Sequence, residues 1–320
     1  MVEGMNERSE QAKVTVVVPF LNESMVLPTL VERVKGVFAG REERWELLLV
    51  DDGSTDGGAE WAAAQAKEDP RIRVVRLSRN FGHQAAITAG MDLSDGDAVV
   101  IMDADLQDPP EVIPELLAKW REGAEVVYAV RRSRAGEGWM KKFLAAAFYR
   151  TFHRMAKVEV PMDAGDFRLV DRRVADALRE MRETHRFVRG LTCWVGFRQA
   201  AVEYDRAARL AGETKYPVWK SARLAFDAIT SFSAAPLRWM TAAGALVCVW
   251  AALQTVWVVV SKLTGWVESV RGWSSLAAIM LFLGGVQLLG LGMIGQYVSR
   301  IFEEGKRRPL YYVAEDSGAE

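Results

Sequence analysis

Two stretches without a single charged side chain, residues 239–261 and 272–299, constrain this chain more than any other feature. As helices rising about 1.5 Å per residue, each exceeds the roughly 30 Å of a bilayer's hydrocarbon. The competing reading is a pair of buried core helices, and length favours membrane spans over it. Trp266 and Trp273, near the short connection, fit an interfacial aromatic belt. Lys220, Arg223 and Arg238 precede the first span, and Arg300, Lys306, Arg307 and Arg308 follow the second. The connection carries only two basic residues, Lys262 and Arg271. The positive-inside bias therefore predicts a transmembrane hairpin, spans about 239–261 and 274–298, with both termini cytosolic in a cell (inner) membrane. Residues 1–13 form a polar tail without an apolar h-region, so no cleaved signal peptide is expected. Gly284, Gly285, Gly290, Gly292 and Gly295 in the second span would allow close helix approach. That approach is either self-association into a homo-oligomer or packing of the two spans of one chain.

The remaining chain is globular in composition. Apolar residues are 50% and charged residues 26% of the 320, which excludes a disordered polymer. Lys+Arg 41 against Asp+Glu 42 argues against a nucleic-acid partner. Two cysteines exclude a disulfide framework, and three scattered histidines exclude a His-rich metal site. Short Val/Ile/Leu-rich segments at 14–18, 45–50, 72–77, 98–102 and 125–130 read as buried strands. Helical stretches near 25–38, 56–67, 83–91 and 110–121 separate them, with Pro28 and Pro110 where a helix start tolerates proline. Such alternation predicts a mostly parallel α/β sheet in one domain, residues 14–235, followed by the hairpin at 236–300 and a cytosolic tail at 301–320. Residues 139–155 place Phe143, Ala147, Phe148, Phe152 and Met155 at helical spacing among Lys141, Lys142, Arg150 and Arg154. That pattern reads as an amphipathic helix on a membrane surface, or as an ordinary helix docking on the core. Residues 218–229 are a second candidate of the same kind.

In an open α/β sheet, ligands bind beyond the carboxyl ends of the strands. Four such ends carry polar clusters here: Pro19-Phe20-Leu21-Asn22-Glu23, Asp51-Asp52-Gly53-Ser54-Thr55-Asp56, Ser78-Arg79-Asn80-Phe81-Gly82-His83 and Asp103-Ala104-Asp105-Leu106-Gln107-Asp108. Each alone is a turn, a helix cap or a solvated loop. Together they gather carboxylates that repel unless a cation offsets them. Hard oxygen ligands favour Mg²⁺ or Mn²⁺ with diphosphate oxygens. No Gly-x-Gly-x-x-Gly or P-loop lysine is present, which leaves a metal-bridged nucleoside diphosphate as the favoured ligand.

The ordered series PFLNE (19–23), VDDGSTDG (50–57), LSRNFGHQAA (77–86), DADLQDPPE (103–111) and GDFRLVDRR (165–173) resembles the family 2 glycosyltransferases. Within them it is similar to the polyisoprenyl-phosphate glycosyltransferases, including dolichol-phosphate mannose synthases. RFVRGLTCWVGFRQ (186–199) and RLAGETKYPVWK (209–220) look like the bacterial branch that bears a two-helix hairpin. The resemblance implies a GT-A-like, Rossmann-type fold. It also implies that Pro19, Phe20, Glu23, Asp51, Asp52 and Asp103 hold the donor, and that Asp103 and Asp105, with Gln107, hold the metal. Arg131 and Arg209 match phosphate-meeting positions, and Lys141 and Lys142 are expected to join them toward the acceptor. Dolichol-phosphate mannose synthases read Asp-x-x-Ser-Gly-Phe-Arg where this chain has Asp163-Ala164-Gly165-Asp166-Phe167-Arg168, so the catalytic carboxylate is Asp163 or Asp166.

These expectations describe an inverting, metal-dependent transfer of a sugar, UDP-linked by analogy with the bacterial branch, to a polyprenyl phosphate at the cytosolic face. A lipid monophosphate is already anionic near neutral pH, because its second pKa is about 6, so positioning outweighs general-base help. The alternatives are a GDP-mannose-dependent enzyme of the dolichol type, a processive polysaccharide synthase, and a membrane-bound nucleotide-sugar-binding scaffold. Two spans and the lack of a Gln-x-x-Arg-Trp stretch weigh against the synthase. Intact Glu23, Asp52, Asp103 and Asp105 weigh against the scaffold.

Overall fold

Four segments of the central sheet are apolar over most of their length because both faces are covered. In the computed structural model, which describes residues 12–132, 164–205, 235–264 and 272–318, these are β1 (Lys13–Phe20), β2 (Arg44–Asp51), β3 (Ile72–Leu77) and β4 (Ala98–Ile101). The expected strands and helices of the first half therefore stand where the sequence places them. The helices between them are α1 (Leu27–Phe38), α2 (Gly58–Glu68), α3 (His83–Leu93) and α4 (Ile113–Arg121), the last entered through a tight turn at Pro110–Val112. Pro28 sits in the first turn of α1, where its missing N–H costs nothing.

The second half adds β5 (Val126–Arg131), β6 (Ala164–Asp171), α5 (Arg172–Glu180), α6 (Val188–Trp194) and β7 (Gln199–Tyr204). A last strand, β8 (Val313–Asp316), comes from the segment expected to be a tail. The sheet runs β7-β5-β6-β4-β1-β2-β3-β8. All neighbours pair in parallel except at β6, antiparallel to both β4 and β5, and at β8, antiparallel to β3. The fold is thus mixed α/β with a mostly parallel sheet. Because β6 runs backwards, its first residues lie at the edge where β4 and β5 end; Arg168 pairs with Ile101, and Ala164 with Val130. That reversal brings Gly165 and Asp166 to the polar edge.

The chain divides into two compact units, Met1–Pro217 with Arg308–Glu320, and Val218–Arg307. The second contains two long helices, α7 (Ala235–Leu263) and α8 (Trp273–Gly305). Among the described residues one stretch, Phe282–Gly305, is long and apolar enough to cross a membrane, and none of it is buried; Trp239–Gln254 is a shorter apolar stretch. Both helices expose large apolar side chains, Leu246, Val249, Trp250 and Leu253 on α7, and Phe282, Leu288, Leu289 and Leu291 on α8. At Gly290 a Cβ would stand 2.9 Å from Met240 Cε, so this glycine lets α8 approach α7. Residues 139–155 and 218–229, and with them Lys141 and Lys142, lie outside the described residues, as do Asp163 and Arg209.

Candidate active site

The turn after β2 is built around three aspartates with different work. Asp51 is fully buried; its Oδ1 accepts from Ser54 N at 2.8 Å and its Oδ2 lies 3.4 Å from Arg76 Nε. Asp52, 3% exposed, accepts from Phe81 N at 2.7 Å and Gly82 N at 2.9 Å, which ties the turn after β2 to the turn after β3. Burial raises the Asp52 pKa above the usual carboxylate value, with those two N–H groups acting the other way. Asp56 accepts from Ser24 N and Gly58 N, at 2.8 and 3.0 Å. Between them Gly53 has φ +83°, and a Cβ there would meet Asn80 N at 2.8 Å. Only glycine permits that approach.

The turn after β1 joins the same surface. Asn22, at φ +56°, donates its N–H to Ser54 Oγ and accepts Thr55 N at its Oδ1, at 2.9 and 2.8 Å. Glu23 is half-buried nearby in the chain, whereas Pro19 and Phe20 are buried and the Phe20 ring belongs to the apolar core. The Phe20 side chain is therefore spent on the core, and its carbonyl accepts from Asp52 N at 3.0 Å.

After β4, Asp103, Asp105 and Gln107 are half-buried while Ala104, Leu106 and Asp108 are buried, so the loop points alternate side chains into and out of the core. Asp105 Oδ1 accepts from Gln107 N at 3.1 Å. Asp103 Oδ1 is buried and accepts no well-formed hydrogen bond, with His83 Nε2 3.3 Å away. The same His83 nitrogen lies 3.4 Å from Asp166 Oδ2. His83, Asp103 and Asp166 thus bring three potential ligand atoms within 4.8 Å of one another. Two carboxylate oxygens suit Mn²⁺ or Mg²⁺, and the imidazole nitrogen favours Mn²⁺ of the two. Without a cation, burial works against a charged His83 ring, but the two aspartates outweigh it and push its pKa up to about 10.

Asp166 is held from two sides. Arg189, on α6, donates Nε to Oδ1 at 2.7 Å and a terminal nitrogen to Oδ2 at 2.8 Å. Burial alone would raise this carboxyl's pKa, yet the Arg189 fork and His83 hold it far below the usual carboxylate range. Beneath it Arg168, 3% exposed, donates to Gly165 O at 2.7 Å and to Thr192 Oγ1. Burial pulls the Arg168 pKa down to about 10. Arg131 closes the other wall: its Nε lies 3.4 Å from Tyr204 Oη, and a terminal nitrogen lies 4.0 Å from Asp108 Oδ1. Tyr204 donates to Asp108, and burial together with that carboxylate pushes its pKa up to about 12.

The structure therefore gathers Asp103, Asp166 and Arg131 of the expected residues, with Asp51, Asp52 and Glu23 on neighbouring turns. Four participants carry no role in the sequence reading: His83, Arg189, Asp108 and Tyr204. His83 and Asp108 stand within the quoted motifs, so position at a strand end was the available signal. Arg189 stands in the quoted 186–199 stretch, but its partner depends on the reversal of β6; Tyr204 stands in no quoted motif, and its approach depends on the pairing of β5 with β7.

Comparison with known proteins bears on this arrangement. The family model described as Glycosyl transferase family 2 matches residues 15–179. The uncharacterized glycosyltransferase YkcC of Bacillus subtilis (strain 168) is 49% identical over 98% of this chain and 96% of its own. The bactoprenol glucosyl transferase of Shigella phage SfV is 39% identical over 94% of this chain and 98% of its own. A solved mannosyltransferase, PcManGT from Pyrobaculum calidifontis in complex with GDP-Man and Mn²⁺, has a TM-score of 0.46 at 19% identity, over 88% of this chain and 87% of that one.

Proposed function

Since this chain belongs to glycosyl transferase family 2 and is a glycosyltransferase, we propose that it moves one sugar from a nucleotide sugar to a polyprenyl phosphate at the cytosolic membrane face. The observation that carries this reading is the extent of the match to the bactoprenol glucosyl transferase of Shigella phage SfV, 94% of this chain and 98% of that one. A match confined to the catalytic residues would leave the acceptor open; this one also spans most of the residues that hold α7 and α8. A UDP-sugar is the favoured donor. We read α7 and α8 as the transmembrane hairpin and the sheet as GT-A-like. The mixed, mostly parallel sheet with its polar carboxyl edge supports the second reading.

On this reading the turns around Glu23, Asp51 and Asp52 receive the nucleoside, with Pro19 and Phe20 contributing backbone. Asp103, with Asp105 and Gln107, would hold Mg²⁺ or Mn²⁺ against the donor diphosphate, and His83 and Asp166 bring two further potential ligand atoms to Asp103. The buried Asp103 Oδ1 that accepts no well-formed hydrogen bond is the observation that fits them to a cation. When bound, the cation supplies positive charge to the leaving diphosphate. The protein's own contribution is placement. Arg131 meets the acceptor phosphate beside Gly165, and Arg209, Lys141 and Lys142 are assigned the same anionic group. The phosphate oxygen attacks the anomeric carbon from the face opposite the diphosphate, which inverts its configuration. Both Asp166 oxygens are engaged by Arg189, which suits a fixed negative charge that ligates a cation better than a proton acceptor. Asp163 is the remaining candidate for orienting the acceptor.

The test is a panel of UDP- and GDP-sugars offered with undecaprenyl phosphate, in Mn²⁺, in Mg²⁺ and in chelator. The expected product carries one sugar and forms only with metal and lipid phosphate. Polymer, or equal transfer to a soluble acceptor, would overturn the reading.

A further inference from the structure

An edge strand leaves a row of N–H and C=O groups open, and proteins cover such edges. Here the cover for β3 is β8, which arrives after the whole Val218–Arg307 unit. The cover is fastened along its length. Arg73 forks onto Asp316 at 2.9 and 2.6 Å, Val74 N donates to Ser317 Oγ at 2.8 Å, and Ser317 N donates to Val74 O at 2.9 Å. At the other end Ser78 N donates to Tyr312 O at 2.9 Å, at the first residue of the turn after β3. Tyr311 Oη donates to Asp92 Oδ2 at 2.8 Å on α3. The Phe81 ring has the Arg79 guanidinium 4.1 Å from its centroid and meets the Tyr312 ring in a tilted pair, 6.5 Å centroid to centroid. Phe81 and Gly82 are the residues whose N–H groups hold the Asp52 carboxylate, and His83 follows directly.

We propose that the C-terminal segment 311–317 is a working part of the donor site: Tyr312, a positioning residue, fixes the 78–83 turn and thereby the Asp52 cradle. The inference rests on the donor placement beside Asp52 proposed above. Tyr312 is 58% exposed, so it adds little to the core, and its ring is spent on Phe81. Loss of an aromatic contact of this kind is expected to weaken nucleotide binding roughly three- to tenfold.

Calorimetric titration of the full chain with UDP and with GDP, in Mn²⁺, tests this on Tyr312→Ala, Tyr312→Phe and Asp52→Asn. The expected result is weaker nucleotide binding in Tyr312→Ala and Asp52→Asn, restoration in Tyr312→Phe, and an unchanged KM for undecaprenyl phosphate in Tyr312→Ala. If Asp52→Asn weakens binding while Tyr312→Ala does not, the role of the segment is wrong and the donor placement stands. If Asp52→Asn binds like the parent, or neither nucleotide binds the parent, the donor placement fails and the inference falls with it.

Discussion

Arg189 is the residue on which the geometry of the site depends most visibly. Its fork fixes both oxygens of Asp166, and Asp166 in turn faces His83 and, through it, Asp103. Replacing it by methionine keeps the volume and removes the fork, leaving a buried carboxylate to find other donors. A charge-assisted contact of that kind is worth about 1.5–3 kcal/mol, so Arg189→Met should lose roughly ten- to a hundredfold in kcat. Arg189→Lys should recover only part of it, because an ammonium cannot span two oxygens. Steady-state kinetics with Mn²⁺ titrations check this; a wild-type kcat in Arg189→Met would show that Asp166 needs no orientation. At this scale the sequence was legible where chemistry is local. Asp51, Asp52 and Asp103 follow strands whose apolar runs mark where they end. Arg189 stands in a quoted motif, but nothing within its own helix announces a partner 23 positions earlier.

Elements show the same division. The first four strands declare themselves by Val/Ile/Leu-rich runs, and α1 and α4 by proline at their starts. β5 stands where the 125–130 run places it, but the rest of the second half does not declare itself. The β6 strand contains Asp166 and Arg168 within its eight residues, and their burial is compensated by Arg189, Thr192 and a backbone carbonyl that only the tertiary fold supplies. β8 is four residues long with two acidic side chains, and exists because β3 has an edge to cover. Turns between elements also store pH-dependent stability. Asp69, which ends α2, accepts from Arg71 at 2.9 and 2.8 Å, and those bonds bring its pKa down to about 2. A folded pKa below the unfolded value of about 3.9 gives stability that is present above pH ~4 and lost as pH falls toward 2. Asp69→Asn should therefore lower the melting temperature at neutral pH and flatten its fall between pH 4 and 2. An acid limb identical to the parent's would contradict this.

For the whole molecule, the order of units along the chain matters more than any contact. The Val218–Arg307 unit is inserted into the other, which supplies residues on both sides of it. If α7 and α8 cross the membrane, both of their outer ends must lie on the side of the catalytic unit, the same conclusion that the flanking arginines and lysines gave by counting charge. A cysteine introduced at Ser269 should then react with an impermeant reagent in intact cells, and one at Ser317 should not. The reverse pattern would contradict the proposed orientation. The central claim is the transfer itself, and its most direct measurement is the mass of the lipid product. Purified protein, a nucleotide sugar, Mn²⁺ and undecaprenyl phosphate should yield the lipid phosphate heavier by one sugar. Asp103→Asn, with its fold intact by melting, should yield none. A product that is a polymer or a glycosylated soluble acceptor, or an Asp103→Asn variant as active as the parent in chelator, would contradict the account.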